Sequence, residues 1–222
     1  MRRNVSSAEC RLCGGSTYDL ADGALGVVYD VCRRCGFTYK QPAFHPTQAK
    51  AKAIYDQHQN TLDNPGYVAM FETFLEQSVR PFNPGRAALD FGSGPGPVLY
   101  ELLRREGFTA DHYDPHYRGE EEPLNRRYDL ITATEVFEHL VDPKRTLKLL
   151  VSLLKEGGLL AIMTSLRPTE DETFLSWWYR RDPTHLSFFT EDALDALIRG
   201  EPLRFIHSCE RKQFTFRKDR RR

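Results

Sequence analysis

The chain lacks a long apolar run: none approaches the ~20 residues that a membrane-spanning helix requires, so no membrane span is expected. It lacks an excess of either charge, with 31 lysines and arginines against 31 aspartates and glutamates. Nothing global therefore points to nucleic acid or to an acidic membrane surface. The arginines at positions 2 and 3 lead into no apolar stretch, so no secretory leader is read and the expected compartment is the cytosol. The basic ends, MRRN and RKDRRR, read as solvated charge. There is no internal repeat, no low-complexity tract and no nucleophile elbow. What remains is a chain of 222 residues, enough for one sizeable core and a small appendage.

Cysteine is scarce but placed. Cys10 and Cys13 form one C-x-x-C, Cys32 and Cys35 a second, with 18 residues between the pairs and a glycine after each, Gly14 and Gly36. This is the spacing of a four-thiolate zinc site, in which two tight knuckles present paired sulfurs to one tetrahedral ion. Residues 27–31 and 37–39 read as short strands around the second knuckle. The expectation is a zinc ribbon over residues 1–41, structural because four thiolates leave no open position on the metal. A cytosolic setting argues against two disulfides. Cys209 reads as a small core residue.

Pro42 and Pro46 mark the exit from the ribbon. Residues 47–80 read as helical, interrupted by the turn Asp63-Asn64-Pro65-Gly66. Between the two parts lie Tyr55, His58 and Asn60. Two readings of them stand: a lid whose Tyr55 and His58 touch a substrate, or a polar helix end ahead of a turn.

The stretch Ala87–Glu106 organises the rest. A short apolar run leads to Asp90 and Phe91, then glycine recurs at Gly92, Gly94 and Gly96, then Pro97 opens a helix carrying Val98, Leu99, Leu102 and Leu103 at helical spacing. Glycines let a backbone pass close to a ligand, and free amides at a helix start favour electron-rich groups. A dinucleotide site needs its third glycine where Pro97 stands, so that pattern fails. Asp114 closes a second short strand, Thr109–Tyr113. Only 13 residues then separate Asp114 from the next strand at Tyr128, too few for a helix and a further strand.

Asp90-x-Gly92-x-Gly94-x-Gly96, followed after one helix and one strand by Asp114, resembles motif I of class I S-adenosylmethionine-dependent methyltransferases. The likeness continues through YDLI, EVFEHL, the helix that Asp142-Pro143 opens and Gly157-Gly158 is expected to end, and LLKEGGLLAIMT, ending near Thr164. More narrowly, the four cysteines, Tyr55-x-x-His58-x-Asn60, DFGSGPGP, the short YDP region and DPTHLSFF together look like a family of small bacterial methyltransferase-like proteins with an N-terminal zinc ribbon. The resemblance implies an α/β class: a Rossmann-like, mostly parallel sheet over residues 81–222, with a shortened third-strand region and an antiparallel closing hairpin from Leu203–His207 and Gln213–Phe216. Residues 42–80 become a helical linker or lid. The resemblance also implies S-adenosylmethionine as cofactor, held by Asp90, Gly92, Ser93, Gly94, Gly96, Asp114 and Glu135, with Asp114 on the ribose hydroxyls. The acid that in this family follows the third strand and takes adenine has no counterpart.

Methyl transfer is an in-line displacement that needs positioning and at most one proton removed. The candidate bases are His139 and His185, with Glu138 behind them; the ordinary histidine pKa of ~6.5 suits deprotonation of a phenol or similar group. The loop after Thr164 carries Trp178 and Tyr179, read as walls of an acceptor pocket, while Phe188 and Phe189 read as core. Glu135-x-x-Glu138-His139 plus His185 also resembles the Mg²⁺ set of some O-methyltransferases, but Glu-x-x-Glu-His is frequent in methyltransferases without a metal, and the metal-free reading is preferred. The expected activity is methyl transfer to a small-molecule or sugar-like acceptor. Two other uses stay open: a methyltransferase acting on RNA or protein, or a non-catalytic cofactor-binding scaffold.

Overall fold

The computed structural model describes residues 5–57, 60–117 and 119–220. Its elements, in chain order, are β1 (Val5–Glu9), β2 (Ser16–Asp22), β3 (Val27–Cys32), β4 (Thr38–Lys40), α1 (Gln48–Tyr55), α2 (Pro65–Ser78), β5 (Ala87–Phe91), α3 (Val98–Arg105), β6 (Thr109–Tyr113), β7 (Tyr128–Thr134), α4 (Pro143–Leu153), β8 (Leu154–Met163), α5 (Asp171–Ser176), β9 (Ser187–Phe188), α6 (Glu191–Ile198), β10 (Leu203–Cys209) and β11 (Gln213–Lys218). The chain divides into two compact units. One comprises Met1–Ala51, Glu138–Leu147 and Ser165–Gly200; the other comprises Lys52–Phe137, Lys148–Thr164 and Glu201–Arg222.

The second unit holds a six-stranded sheet in the order β10-β11-β8-β7-β5-β6. Strands β6, β5, β7 and β8 run parallel, and β11 and β10 close the sheet antiparallel. This is the expected class I methyltransferase sheet. Among the described residues no strand stands between β6 and β7, only the 3-10 turn Glu122–Asn125, and β6 lies at the edge of the sheet. The inner strands are apolar on both faces because both are covered, as parallel sheets require. Helix α3 turns Val98, Leu99, Leu102 and Leu103 inward, and α2 adds Phe71, Phe74 and Leu75. These pack with Ala88, Leu130, Leu159 and Met163 in one core. Among the described residues no helix is long and apolar enough to cross a membrane.

Three boundaries differ from the sequence reading. Pro65-Gly66 does not end a turn but opens α2, with Pro65 at the first helical position and the Asn64 side chain accepting the Tyr67 amide. Pro97 stands one residue before α3. Helix α4 stops at Leu153, well before Gly157-Gly158, because Leu154 already pairs with Tyr128. The register then slips before Leu130 meets Leu159, and the two glycines lie in that irregular stretch.

The first unit is larger than a two-stranded ribbon. Its antiparallel sheet runs β1-β2-β3-β4-β9, and the last strand comes from far along the chain. Thr38 pairs with Phe188 and Tyr39 with Ser187. Tyr18, Leu20, Tyr29 and Val31 of the ribbon share a core with Phe174, Tyr179 and Phe188. Phe188 and Phe189 are buried, as read from the sequence. Arg180 pairs with Asp22 at 2.9 Å, both side chains nearly inaccessible.

Candidate active site

The glycine loop leaves the carboxyl end of β5, where open α/β sheets take ligands. The amides of Gly92 and Ser93 donate to the Tyr113 carbonyl at 2.7 and 3.2 Å. Gly94, at φ 66°, donates its amide to Asp114 Oδ2 at 2.9 Å, and Asp114 Oδ1 accepts the His116 amide at 2.8 Å. Asp114 therefore braces the loop as well as facing it. A Cβ on Gly92 would strike Val136, and one on Gly96 would strike the Asn60 backbone oxygen. Ser93 Oγ lies 3.3 Å from His112 Nδ1. The Tyr55 ring sits 5.3 Å from that of His116, so the expected lid segment is anchored beside Asp114. His58 lies outside the described residues.

Asp90 is buried and accepts from Thr132 Oγ1 at 3.2 Å. Burial pushes its carboxyl up to about 7. Glu135 follows β7 at φ 53°, donates its amide to the Met163 carbonyl, and pairs through Oε1 with Lys212 Nζ at 3.0 Å. Sequence reasoning missed Tyr67, in the first turn of α2. Burial, with the charges of Asp90 and Glu135, raises its phenol well above the ordinary range. The signal was the Asn64-Pro65 cap, which fixes where that turn begins. Three acids at or beside successive strand ends, Asp90, Asp114 and Glu135, suit by charge a donor carrying a sulfonium and an ammonium, as S-adenosylmethionine does.

In the other unit the sequence-predicted histidines come together. Glu138 and His139 belong to the 3-10 turn Phe137–His139. Glu138 is inaccessible, and its Oε1 accepts the Tyr179 hydroxyl at 2.6 Å. His139 donates from Nδ1 to the Thr184 carbonyl at 3.1 Å, and His185 from Nδ1 to the Tyr179 carbonyl at 2.7 Å. The rings are 4.7 Å apart. A neutral imidazole donating from Nδ1 keeps its basic lone pair on Nε2. Burial, then the charge of His139, holds His185 down to about 3. It is neutral at pH 7. Tyr179 is buried and its hydroxyl is taken by Glu138, while Trp178 is 68% exposed, edge-on to Tyr179. Of the two expected pocket walls, only Trp178 is open to solvent.

The four cysteines converge. Cys10 Sγ lies 3.7 Å from Cys35 Sγ, and Cys13 Sγ 3.5 Å from Cys32 Sγ. All four sulfurs fall within 4.8 Å of one another, and all five cysteines of the chain are free thiols. A tetrahedron with Zn–S of ~2.3 Å has edges of about 3.8 Å, so the quartet fits zinc. One hydrogen bond pulls the Cys10 thiol down and pushes the Cys35 thiol up, so this pair loses its first proton easily and holds its second.

A family model described as "Methyltransferase domain" matches residues 67–204. Among curated proteins, the ubiquinone biosynthesis O-methyltransferase of Coxiella burnetii is 29% identical over 114 residues, covering 41% of this chain and 47% of its own. The chain thus spans about half the length of the curated relatives it matches. Among solved structures, magnesium protoporphyrin IX methyltransferase from Synechocystis PCC 6803, with bound SAH, superposes with a TM-score of 0.54 at 14% identity, covering 76% of this chain and 93% of that one. An O-methyltransferase family protein from Burkholderia thailandensis gives 0.53 at 15%, covering 80% and 61%. At these identities the structural likeness is one of fold.

Proposed function

The chain belongs to the methyltransferase domain family, and on that premise we propose that it transfers a methyl group from S-adenosylmethionine to a small-molecule or sugar-like acceptor. The carrying observation is the glycine loop at the end of β5, braced by Asp114 and flanked by Asp90 and Glu135. S-adenosylmethionine, when bound, supplies a methyl already activated on a sulfonium. The side-chain-free loop would let its nucleoside part pass close to the backbone beside Asp114, whose carboxylate would accept from its hydroxyls, and Asp90 and Glu135 would face its positive charge. His139, through Nε2, takes a proton from the acceptor hydroxyl, with His185 beside it and Glu138 fixing Tyr179 below. The name of the Coxiella relative supports an oxygen acceptor. Balanced charge supports a small molecule over a polyanion. The four cysteines hold a structural zinc ion, a use of reduced thiols that suits the cytosol.

The test is methyl-labelled donor offered with a panel of phenols, catechols and nucleotide sugars. Wild-type protein should label at least one, and the Gly94→Val variant none. Label appearing in RNA or protein instead would redirect the reading to a macromolecular acceptor, and donor binding without label anywhere would make the chain a scaffold.

One observation favours a second reading of the acceptor side. Ligand atoms of Glu138, His139 and His185 lie within 4.8 Å of one another, a set able to hold Mg²⁺ against acceptor oxygens. Activity lost to a chelator that spares the thiolate zinc, and restored by Mg²⁺, would select it.

A further inference from the structure

We propose that Lys40 is the positioning residue through which the four-cysteine ribbon holds His139 and His185 in place. The proposal rests on reading that histidine pair as the acceptor side of a methyltransferase. Lys40 ends β4, five residues past Cys35, and only 2% of it is accessible. Its Nζ donates to the Pro183 carbonyl at 2.8 Å, and its backbone amide to the Leu186 carbonyl at 2.8 Å. Burying an ammonium is costly, and an apolar side chain of similar length would fill the same space without that cost. Burial pulls this amine down to about 8, against the opposing charge of Asp182, so it is still charged at neutral pH.

The segment it grips carries the histidine contacts. Thr184, next to Pro183, gives its carbonyl to His139 Nδ1. His185 follows, its amide on the Asp182 carbonyl at 3.2 Å. Leu186 donates its amide to the Glu138 carbonyl at 2.7 Å, and Ser187 Oγ donates to the Leu140 carbonyl at 2.7 Å. Residues 182–187 are thus tied to 138–140 at three points, and Lys40 ties them to the ribbon. The far end of the segment is tied there too. Thr190 Oγ1 donates to the Cys35 carbonyl at 2.5 Å, and its side chain occupies the space where a Cβ on Gly36 would sit. The second cysteine knuckle and the strand that leaves it therefore grip both ends of the histidine segment. An ion that fixes the knuckle fixes the histidines.

The test uses the full chain with its ribbon loaded with cobalt(II), whose thiolate absorbance reports the knuckles. Lys40→Met should shift the ring resonances of both His139 and His185 in carbon-13 spectra and speed amide exchange over residues 183–187 about tenfold. The cobalt band and the calorimetric affinity for S-adenosylhomocysteine should stay as in wild type. Ejecting the ion from zinc-loaded wild-type protein, where no paramagnetic shift is lost, with a thiol-reactive mercurial should shift the same two rings. Unchanged rings in Lys40→Met with an intact cobalt band would overturn the proposal. If that variant fails to fold, wild-type rings that ignore ion removal overturn it. A wild-type protein that binds no S-adenosylhomocysteine yet shows the ring shifts would count against the methyltransferase reading alone.

Discussion

Asp114 and Gly94 are joined by a 2.9 Å hydrogen bond from the glycine amide to the carboxylate, and the other oxygen of Asp114 takes the amide of His116. One side chain thus shapes the loop that its charge also serves. Asp114→Ala removes two charge-assisted bonds at once, each worth ~1.5–3 kcal/mol, and donor binding reports part of that loss. The affinity for S-adenosylhomocysteine should fall about 10- to 100-fold by calorimetry. Equal affinity in the two proteins would show that the loop does not depend on Asp114.

Gly92 touches Val136 so closely that any Cβ collides, and its φ of 79° is unfavourable for other residues. Gly92→Ala should cost ~1–3 kcal/mol of stability, since Val136 is itself buried and has no solvent to retreat into. A denaturant titration that leaves the midpoint unmoved would contradict the packing described.

The ribbon should carry one zinc per chain on Cys10, Cys13, Cys32 and Cys35. Removing it should melt the two cysteine knuckles and leave the second unit folded on its own core, because ion binding here is folding energy for the ribbon alone. Elemental analysis and far-ultraviolet dichroism after ion removal measure both parts. Protein without zinc, or a single transition that takes both units, would be the contrary result.

Asp90 gives the pH prediction. Its folded carboxyl, at about 7, lies above the ordinary ~3.9 of an aspartate, so the folded state holds its proton longer than the unfolded state does. The stabilising contribution is full below pH ~4 and is lost as pH rises to about 7. The difference in stability between wild type and Asp90→Asn should therefore drift against wild type across that window and level off above it. A difference that is flat from pH 4 to 7 would mean that Asp90 ionises as an exposed aspartate does.

The glycine loop, the strand that Asp114 closes, the shortened third-strand region and the closing hairpin were legible because each rests on local chemistry: glycine where backbone crowds, 13 residues where a strand and helix will not fit. That His139, His185 and Glu138 stand together was legible from the EVFEHL and DPTHLSFF stretches; the backbone carbonyls of Thr184 and Tyr179 that orient the two rings were not. That Phe188 and Ser187 complete the ribbon sheet, and that Lys40 reaches Pro183, could not be read, since pairs 143 and 150 residues apart leave no periodic trace. Tyr179 reads as a pocket wall because it sits beside Trp178; the Glu138 that takes its hydroxyl is 41 residues away and leaves no local sign in the sequence. The end of α4 was misplaced because Gly157-Gly158 is a stronger local stop signal than the strand pairing that begins at Leu154.

The central claim is that the loop after β5 binds S-adenosylmethionine. Calorimetric titration of S-adenosylhomocysteine into wild type and Gly94→Val tests it most directly, because a β-branched residue at φ 66° spoils the loop without touching the cores of either unit. The account predicts saturable binding at one site per wild-type chain and no binding heat in the variant, with both folded by dichroism. No binding by wild type, or the same affinity in both, would contradict it.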